Sequence, residues 1–323
     1  MTDILVLHTG GTISMTANAA GDVAPSAENP LMGQTDQLGT DVNVTAEEIF
    51  NLPSPHMTPA RMLELAQRIR RAEADGIDGV VVTHGTDTLE ETAYFLDLTL
   101  DSTVPVVVTG AMRSSNEIGS DGLYNFITAI RTAASPESRN KGCLVVMNDE
   151  IHTARFVTKT HTTNVATFRT PTFGPIGLVT KDGARFFQEL INQESCLIDA
   201  VVPNVFLLKA YAGMDSDLFD ALPDNTNGLV IEALGAGNLP PATLPGLQRL
   251  IDRGVPIVLV SRCFNGVAEG FYDYEGGGVE LEKMGINFCQ GLNGQKARIK
   301  LIVGLSDGKS GAELKEYVNN AIS

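Results

Sequence analysis

The residues best suited to chemistry stand in Thr83-His84-Gly85-Thr86-Asp87-Thr88, directly after the apolar run Gly79-Val80-Val81-Val82 and directly before a helical pattern. A turn of this kind ends a buried parallel strand and points the unpaired N–H groups of a helix start at one spot. Here it adds two hydroxyls and a carboxylate. That combination suits chemistry on a small polar substrate. A lone Thr or Asp at such a position also serves as a plain helix cap, so Thr86, Asp87 and Thr88 carry that reading too. A second turn, Thr9-Gly10-Gly11-Thr12-Ile13-Ser14, follows the apolar stretch Ile4 to Leu7. Its glycines let a ligand come close to the backbone, but its spacing is neither a dinucleotide fingerprint nor a phosphate loop with its Lys. The third feature is Lys159, lodged between Thr158 and Thr160 in a threonine-rich stretch. A lysine in such a setting is rarely buried unless paired.

The elements that must hold these turns read as alternating strands and helices. A helix is expected from Leu89 to Leu100, a strand from Val104 to Val108, the turn Thr109 to Asn116, a helix from Ser120 to Ala134, and a strand from Cys143 to Met147 that ends at Asn148-Asp149. Ser54 sits in the irregular loop Leu52 to Met57, after which Thr58-Pro59 opens a helix running to Gly76. This alternation predicts a parallel sheet with helices on both faces and a ligand site beyond the carboxyl ends of its strands. Met15 to Gly39 has no periodicity and reads as a mobile lid. Periodicity weakens again between Asp182 and Pro203. Further strands are expected at Val205 to Lys209, Leu229 to Ala233 and Ile257 to Val260. Helices are expected after Met214, at Leu244 to Arg253, at Gly278 to Met284, at Gln295 to Leu305, and from Ser310, where Ser310 and Glu313 have capping-box spacing. The expected organisation is a two-domain α/β chain: an N-terminal α/β catalytic domain over 1–185, a linker over 186–203, and a smaller α/β C-terminal domain over 204–323.

Composition removes several function classes. A chain of 323 residues that is 43% hydrophobic exceeds the size at which one core stops growing. Lys+Arg 23 against Asp+Glu 39 gives a net charge of −16, and no dense basic run exists beyond Arg68-Ile69-Arg70-Arg71. Nucleic acid and anionic membrane are therefore poor partners. Asp3 stands where a signal peptide needs positive charge, and no transmembrane span follows. Cys143, Cys196, Cys263 and Cys289 are spaced for neither a disulfide framework nor a zinc site, which predicts reduced thiols in a cytoplasm. The five histidines show no ligand spacing, so no metal is expected. His8 and His84, where strands meet turns, read as hydrogen-bonded structural residues.

Five motifs, taken in order, resemble the bacterial-type L-asparaginases of the asparaginase/glutaminase family over nearly the whole chain. They are Thr9-Gly10-Gly11-Thr12-Ile13, Thr83 to Ala93, Gly110-Ala111-Met112-Arg113, Val157-Thr158-Lys159-Thr160, and Leu292 to Arg298. The resemblance implies hydrolysis of L-asparagine to L-aspartate and ammonia, allowing weak glutaminase activity beside it, by a homo-oligomer, dimer or tetramer, with no metal or organic cofactor. It casts Thr12 as the nucleophile of an acyl-enzyme, and Thr86, Asp87 and Lys159 as the second catalytic group, in which Asp87 holds and polarises the lysine. Gly11, Ser54, Gly85, Thr86, Asp87 and Ala111 then bind substrate. Asn238, with either Asp273 or Glu275, is the match for residues that the family lends from a neighbouring subunit. Many members also carry a lid tyrosine that hydrogen-bonds the nucleophile, whereas the first tyrosine here is Tyr94. Two rival readings share the scaffold: an ammonia-releasing subunit of a tRNA-dependent amidotransferase, and a non-catalytic amino-acid-binding protein.

Overall fold

The structure, a computed structural model, describes residues 1–17, 22–25, 31 and 41–321. It divides into two compact units, Met1–Ser195 and Cys196–Ser323. The first unit contains β1 (Thr2–His8), β2 (Met15–Ala17), β3 (Val23–Pro25), β4 (Val42–Glu48), α1 (Pro59–Ala74), β5 (Gly79–Thr83), α2 (Leu89–Thr99), β6 (Val106–Thr109) and α3 (Gly122–Ala133). It continues with β7 (Cys143–Met147), β8 (Glu150–Thr153), β9 (Thr158–Lys159), β10 (Phe168–Arg169), β11 (Gly177–Thr180) and β12 (Gly183–Phe186). Eight of these strands form one sheet in the order β12-β11-β8-β7-β6-β5-β1-β4. Strands β4, β1, β5, β6 and β7 run parallel, as the alternation with helices requires.

Beyond β7 the sheet continues antiparallel through β8, β11 and β12, which the expectation of a parallel sheet did not separate out. The cause is local. No helix follows β7; instead Asn148 (φ 51) and Asp149 (φ 67) make a two-residue turn with both φ values positive, the geometry that folds a strand straight back on its neighbour. Strand β4 was also not anticipated, although Val42, Val44 and Ala46 alternate with Asn43, Thr45 and Glu47 and pack against the core. Of the expected lid, residues 18–21, 26–30 and 32–39 lie outside the described residues. The described part includes β2 paired antiparallel with β3.

Register explains why one edge collects the chemistry. His8 of β1 lies opposite Thr83 of β5, and Thr83 lies opposite Thr109 of β6. Three adjacent strands thus end at one level, so the turns after them leave the sheet side by side. One face of the sheet, with Ile4, Val6, Val81, Val107, Leu144 and Val146, packs on Phe126, Ile127 and Ile130 of α3. The alternate residues Leu5, Leu7, Val80 and Val82 point to the other face and are equally buried, so the strands read as continuous apolar runs.

The second unit is a parallel sheet of β13 (Val205–Lys209), β14 (Gly228–Ala233), β15 (Ile257–Ser261) and β16 (Asn287–Phe288), in that order. Its helices are α4 (Asp217–Asp220), α5 (Leu244–Asp252), α6 (Gly278–Lys283), α7 (Gly294–Ser306) and α8 (Gly311–Asn319). The helix expected after Met214 shrinks to the single turn α4. No described helix is long and apolar enough to cross a membrane.

The caps of two helices differ in kind. The Thr58 hydroxyl accepts the Arg61 N–H at the start of α1, whereas Ser310 at the start of α8 makes no side-chain cap and Glu313 instead pairs with Lys309. The capping box expected from Ser310 and Glu313 is therefore not formed. Thr58→Ala should cost about 1 kcal/mol of stability and Ser310→Ala less than about 0.5 kcal/mol. Urea unfolding of both variants checks this contrast.

Candidate active site

Two glycine turns are pressed together at the carboxyl edge of the sheet. Gly11 has φ 82, and a Cβ placed on it would stand 2.2 Å from the Gly85 Cα. A Cβ on Gly85 would in turn stand 2.7 Å from the Ser54 Cβ. No side chain larger than hydrogen fits at either position, so the backbones of the Thr9–Thr12 and His84–Thr88 turns run in contact with the Ser54 loop. Ser54 is buried; its Oγ accepts the Asp87 N–H at 3.2 Å, and its carbonyl accepts the Thr88 hydroxyl at 2.8 Å. The Gly11 N–H is fixed by the Leu52 carbonyl at 3.0 Å.

Lys159 comes to this place from another part of the chain. It lies on β9, which pairs with β10 in a small hairpin, and its Nζ donates to Thr86 Oγ1 at 2.9 Å and to Asp87 Oδ1 at 2.7 Å. The lysine side chain is 17% exposed and that of Asp87 is 59% exposed. A pair this wet adds little stability, so its value lies in orienting the ammonium toward the Thr86 hydroxyl. The hairpin itself is tied to β8: Arg169 Nη1 donates to both carboxylate oxygens of Glu150 at 2.7 and 2.8 Å, and His152 Nδ1 lies 3.0 Å from Thr170 Oγ1.

Thr12 begins a single 3-10 turn, Thr12–Ser14, immediately after Gly11 and is partly exposed. Among the described residues the N–H groups of Thr12, Gly85 and Thr86 have no acceptor. Ala111 is fully buried in the neighbouring turn. Gly11, Thr12, Ser54, Gly85, Thr86, Asp87, Lys159 and Ala111 therefore all belong to turns and strand ends of the first unit. Asn238 belongs to the second, where its Oδ1 accepts the Gly278 N–H at 3.1 Å. No described group of three or more His, Cys, Asp or Glu side chains is placed to hold a metal ion.

The family description "Asparaginase, N-terminal" matches residues 3–192, and "Glutaminase/Asparaginase C-terminal domain" matches residues 204–318. An L-asparaginase of Bacillus licheniformis is 36% identical over 97% of this chain and 98% of its own length. A probable L-asparaginase of Deinococcus radiodurans is 39% identical over 99% and 98%. The chain belongs to the asparaginase family. Its fold also matches the crystal structure of a probable cytoplasmic L-asparaginase from Campylobacter jejuni, with a TM-score of 0.86, 35% identity, and coverage of 98% and 99% of the two chains.

Residues that the sequence reading passed over hold the asparaginase turns from behind. The Asp121 carboxylate accepts the N–H groups of Met112 and Arg113 at 3.0 Å, and Asn125 Nδ2 donates to the Gly110 carbonyl at 3.0 Å. Their spacing of four at the start of α3 is the only trace in the sequence. His8 Nδ1 meets Thr83 Oγ1 at 2.8 Å. His84 Nδ1 donates to the Gly85 carbonyl at 2.7 Å, and its Nε2 accepts the Thr92 hydroxyl at 2.9 Å. This arrangement uses the neutral ring, with one donor and one acceptor.

Burial lowers both histidines from 6.5 to about 4. Below pH 6.5 the unfolded chain takes up protons at these positions while the folded chain does not. Stability is therefore full above pH 6.5 and is lost as the pH falls toward 4, by about 3 kcal/mol per histidine at the acid end. Urea unfolding between pH 7 and pH 4.5 should show this fall, and His84→Gln should flatten it. An unchanged slope in that variant would contradict the assignment.

Proposed function

We propose that the chain is an L-asparaginase that hydrolyses L-asparagine to L-aspartate and ammonia. The observation that carries the reading is the Lys159 ammonium held between Thr86 Oγ1 and Asp87 Oδ1, in a turn whose Gly85 touches Gly11, the residue before Thr12. An amide needs a nucleophile, a proton route and donors for the developing oxyanion. In this reading the Thr12 hydroxyl attacks the side-chain carbonyl carbon. The C–N bond then breaks, and the proton given up by Thr12 passes through the Thr86 and Lys159 group to the departing nitrogen, which leaves as ammonia. Water adds to the resulting aspartyl ester, a proton from that water passes to Thr12 Oγ as its bond to the carbonyl carbon breaks, and aspartate departs. The unpaired N–H groups of Thr12 and Thr86 are the candidates for the oxyanion. Gly11, Ser54, Gly85, Asp87 and Ala111 border the space for the substrate's charged and amide groups.

Catalysis on this reading belongs to the 1–185 domain, joined by 186–203 to the 204–323 domain. The reading calls for no cofactor, and for a homo-oligomer in which Asn238 and either Asp273 or Glu275 reach a neighbour's site. Support comes from Phe271, Tyr272 and Tyr274, which are 67%, 50% and 53% exposed beside those acids. Aromatic side chains left in solvent are the kind that interfaces cover. A phenol or carboxylate from this segment would also stand in for the absent lid tyrosine. We place the protein in the cytoplasm, where the unpaired Cys143, Cys196, Cys263 and Cys289 would stay reduced.

The first test is ammonia release by the purified chain. Asparagine should be the better substrate, with glutamine slower by roughly 10–200-fold, the range that one methylene allows. Equal kcat/KM for the two amides would contradict a fitted pocket. Thr12→Ala and Lys159→Met should each cut turnover severely without unfolding the chain, and the double variant should be far less impaired than the product of the two losses. Independent, multiplicative losses would separate the two residues functionally. The shared-site proposal is tested by subunit exchange. Thr12→Ala chains mixed with chains inactivated at Tyr272, Asp273, Tyr274 or Glu275 should regain activity, and failure of every mixture would contradict it.

A further inference from the structure

We infer that Met147 is a positioning residue for the amide end of the site, acting as the hydrogen-bond acceptor that fixes the Gly110-Ala111 turn. The inference rests on the asparaginase reading above. Met147 closes β7 and is 1% exposed. Its Sδ accepts the Gly110 N–H at 3.2 Å and lies 3.8 Å from Thr109 Oγ1 and 3.7 Å from Asn125 Nδ2. The Gly110 N–H is buried and has no other acceptor, so the sulfur is what spares it the cost of an unmade bond. A thioether is a weak acceptor, but a large polarisable sulfur can meet several donors at once.

The turn is held from the other side as well. The Gly110 carbonyl is taken by Asn125, and the Met112 and Arg113 N–H groups are taken by Asp121. Asn125 is in turn anchored by the Asn148 N–H, which reaches its Oδ1 at 3.1 Å from the residue after Met147. The contacts on Gly110, Met112 and Arg113 restrain the chain on both sides of Ala111, while the N–H and C=O of buried Ala111 have no partner among the described residues. Buried main-chain groups are almost always paired, so an idle pair in the turn whose Gly110 packs on Thr86 is available to a substrate amide. Met147 thus sets the placement of a peptide group that it does not itself touch. Its effect should appear on substrates that carry an amide to be recognised, and not on the acyl-enzyme chemistry they share.

The test compares asparagine with the β-methyl ester of aspartate. Both give the same aspartyl ester on Thr12, but only asparagine carries a side-chain N–H to donate. Met147→Leu keeps the volume and removes the acceptor. It should lower kcat/KM for asparagine by about tenfold, the size expected for an orphaned buried donor, and change that for the ester by less than about threefold. Equal losses on the two substrates, or none, would overturn the role of Met147. Should Met147→Leu prove unfolded by circular dichroism, Asn125→Ser gives the same comparison by releasing the Gly110 carbonyl, with the same two readings. A wild-type chain that releases no ammonia from asparagine overturns the asparaginase reading itself, which separates the two failures.

Discussion

The contact between Gly11 and Gly85 is the constraint on which the rest of the site depends. Parallel strands sit about 4.8 Å apart, and two turns leaving adjacent strands would ordinarily splay by the bulk of their side chains. Here β1 and β5 end in register, His8 opposite Thr83, and each turn presents a glycine to the other. The result is a backbone-to-backbone approach that brings the residues after Gly11 and Gly85, Thr12 and Thr86, off neighbouring strand ends. Gly11 adds a second requirement, since its φ of 82 lies where side chains other than hydrogen are strained.

Around that contact the strand ends and turns are held by the side chains of His8, His84, Met147 and Asn125 and by the carboxylate of Asp121. His8 and His84 are buried, uncharged and hydrogen-bonded, and they fix the strand ends without adding charge beside the site. Met147, Asn125 and the Asp121 carboxylate hold the main chain of the Gly110 turn, and Asn125 also donates to Asp121 Oδ2 at 3.1 Å. Lys159 and Asp87 stand nearer solvent, where an ion pair can form without the desolvation cost of a buried one. A hydrogen-bonded scaffold under a hydrated charge pair is a stable way to present an ammonium to a hydroxyl.

Much of this was legible in the sequence because it follows from patterns with short-range causes. The apolar runs before Thr9, His84 and Gly110 read as strands, and the polar turns after them as one edge, because buried parallel strands leave no other place for polar groups. Lys159 was legible as a residue that needs a partner, and its partners are Thr86 and Asp87. The antiparallel extension was less so: Asn148-Asp149 is visible as a strand end, but only the positive φ of both residues says that the chain reverses there. Met147 and Asn125 were not legible, since a methionine ending an apolar strand and an asparagine in a helix have ordinary explanations. Their role depends on which backbone N–H and C=O groups lack partners, a property of the folded chain. The unformed box at Ser310 shows the converse, a correct spacing whose Glu313 is claimed by Lys309.

The central claim is that the Thr12 turn supplies a nucleophile served by the lysine group on the adjoining turn. The most direct measurement is to quench the enzyme with acid during turnover of asparagine, digest it, and locate any covalent adduct by mass spectrometry. The account predicts an aspartyl ester on the peptide that contains Thr12, absent from Thr12→Ala. An adduct on Thr86 instead, with the Thr12 peptide unmodified, would contradict it.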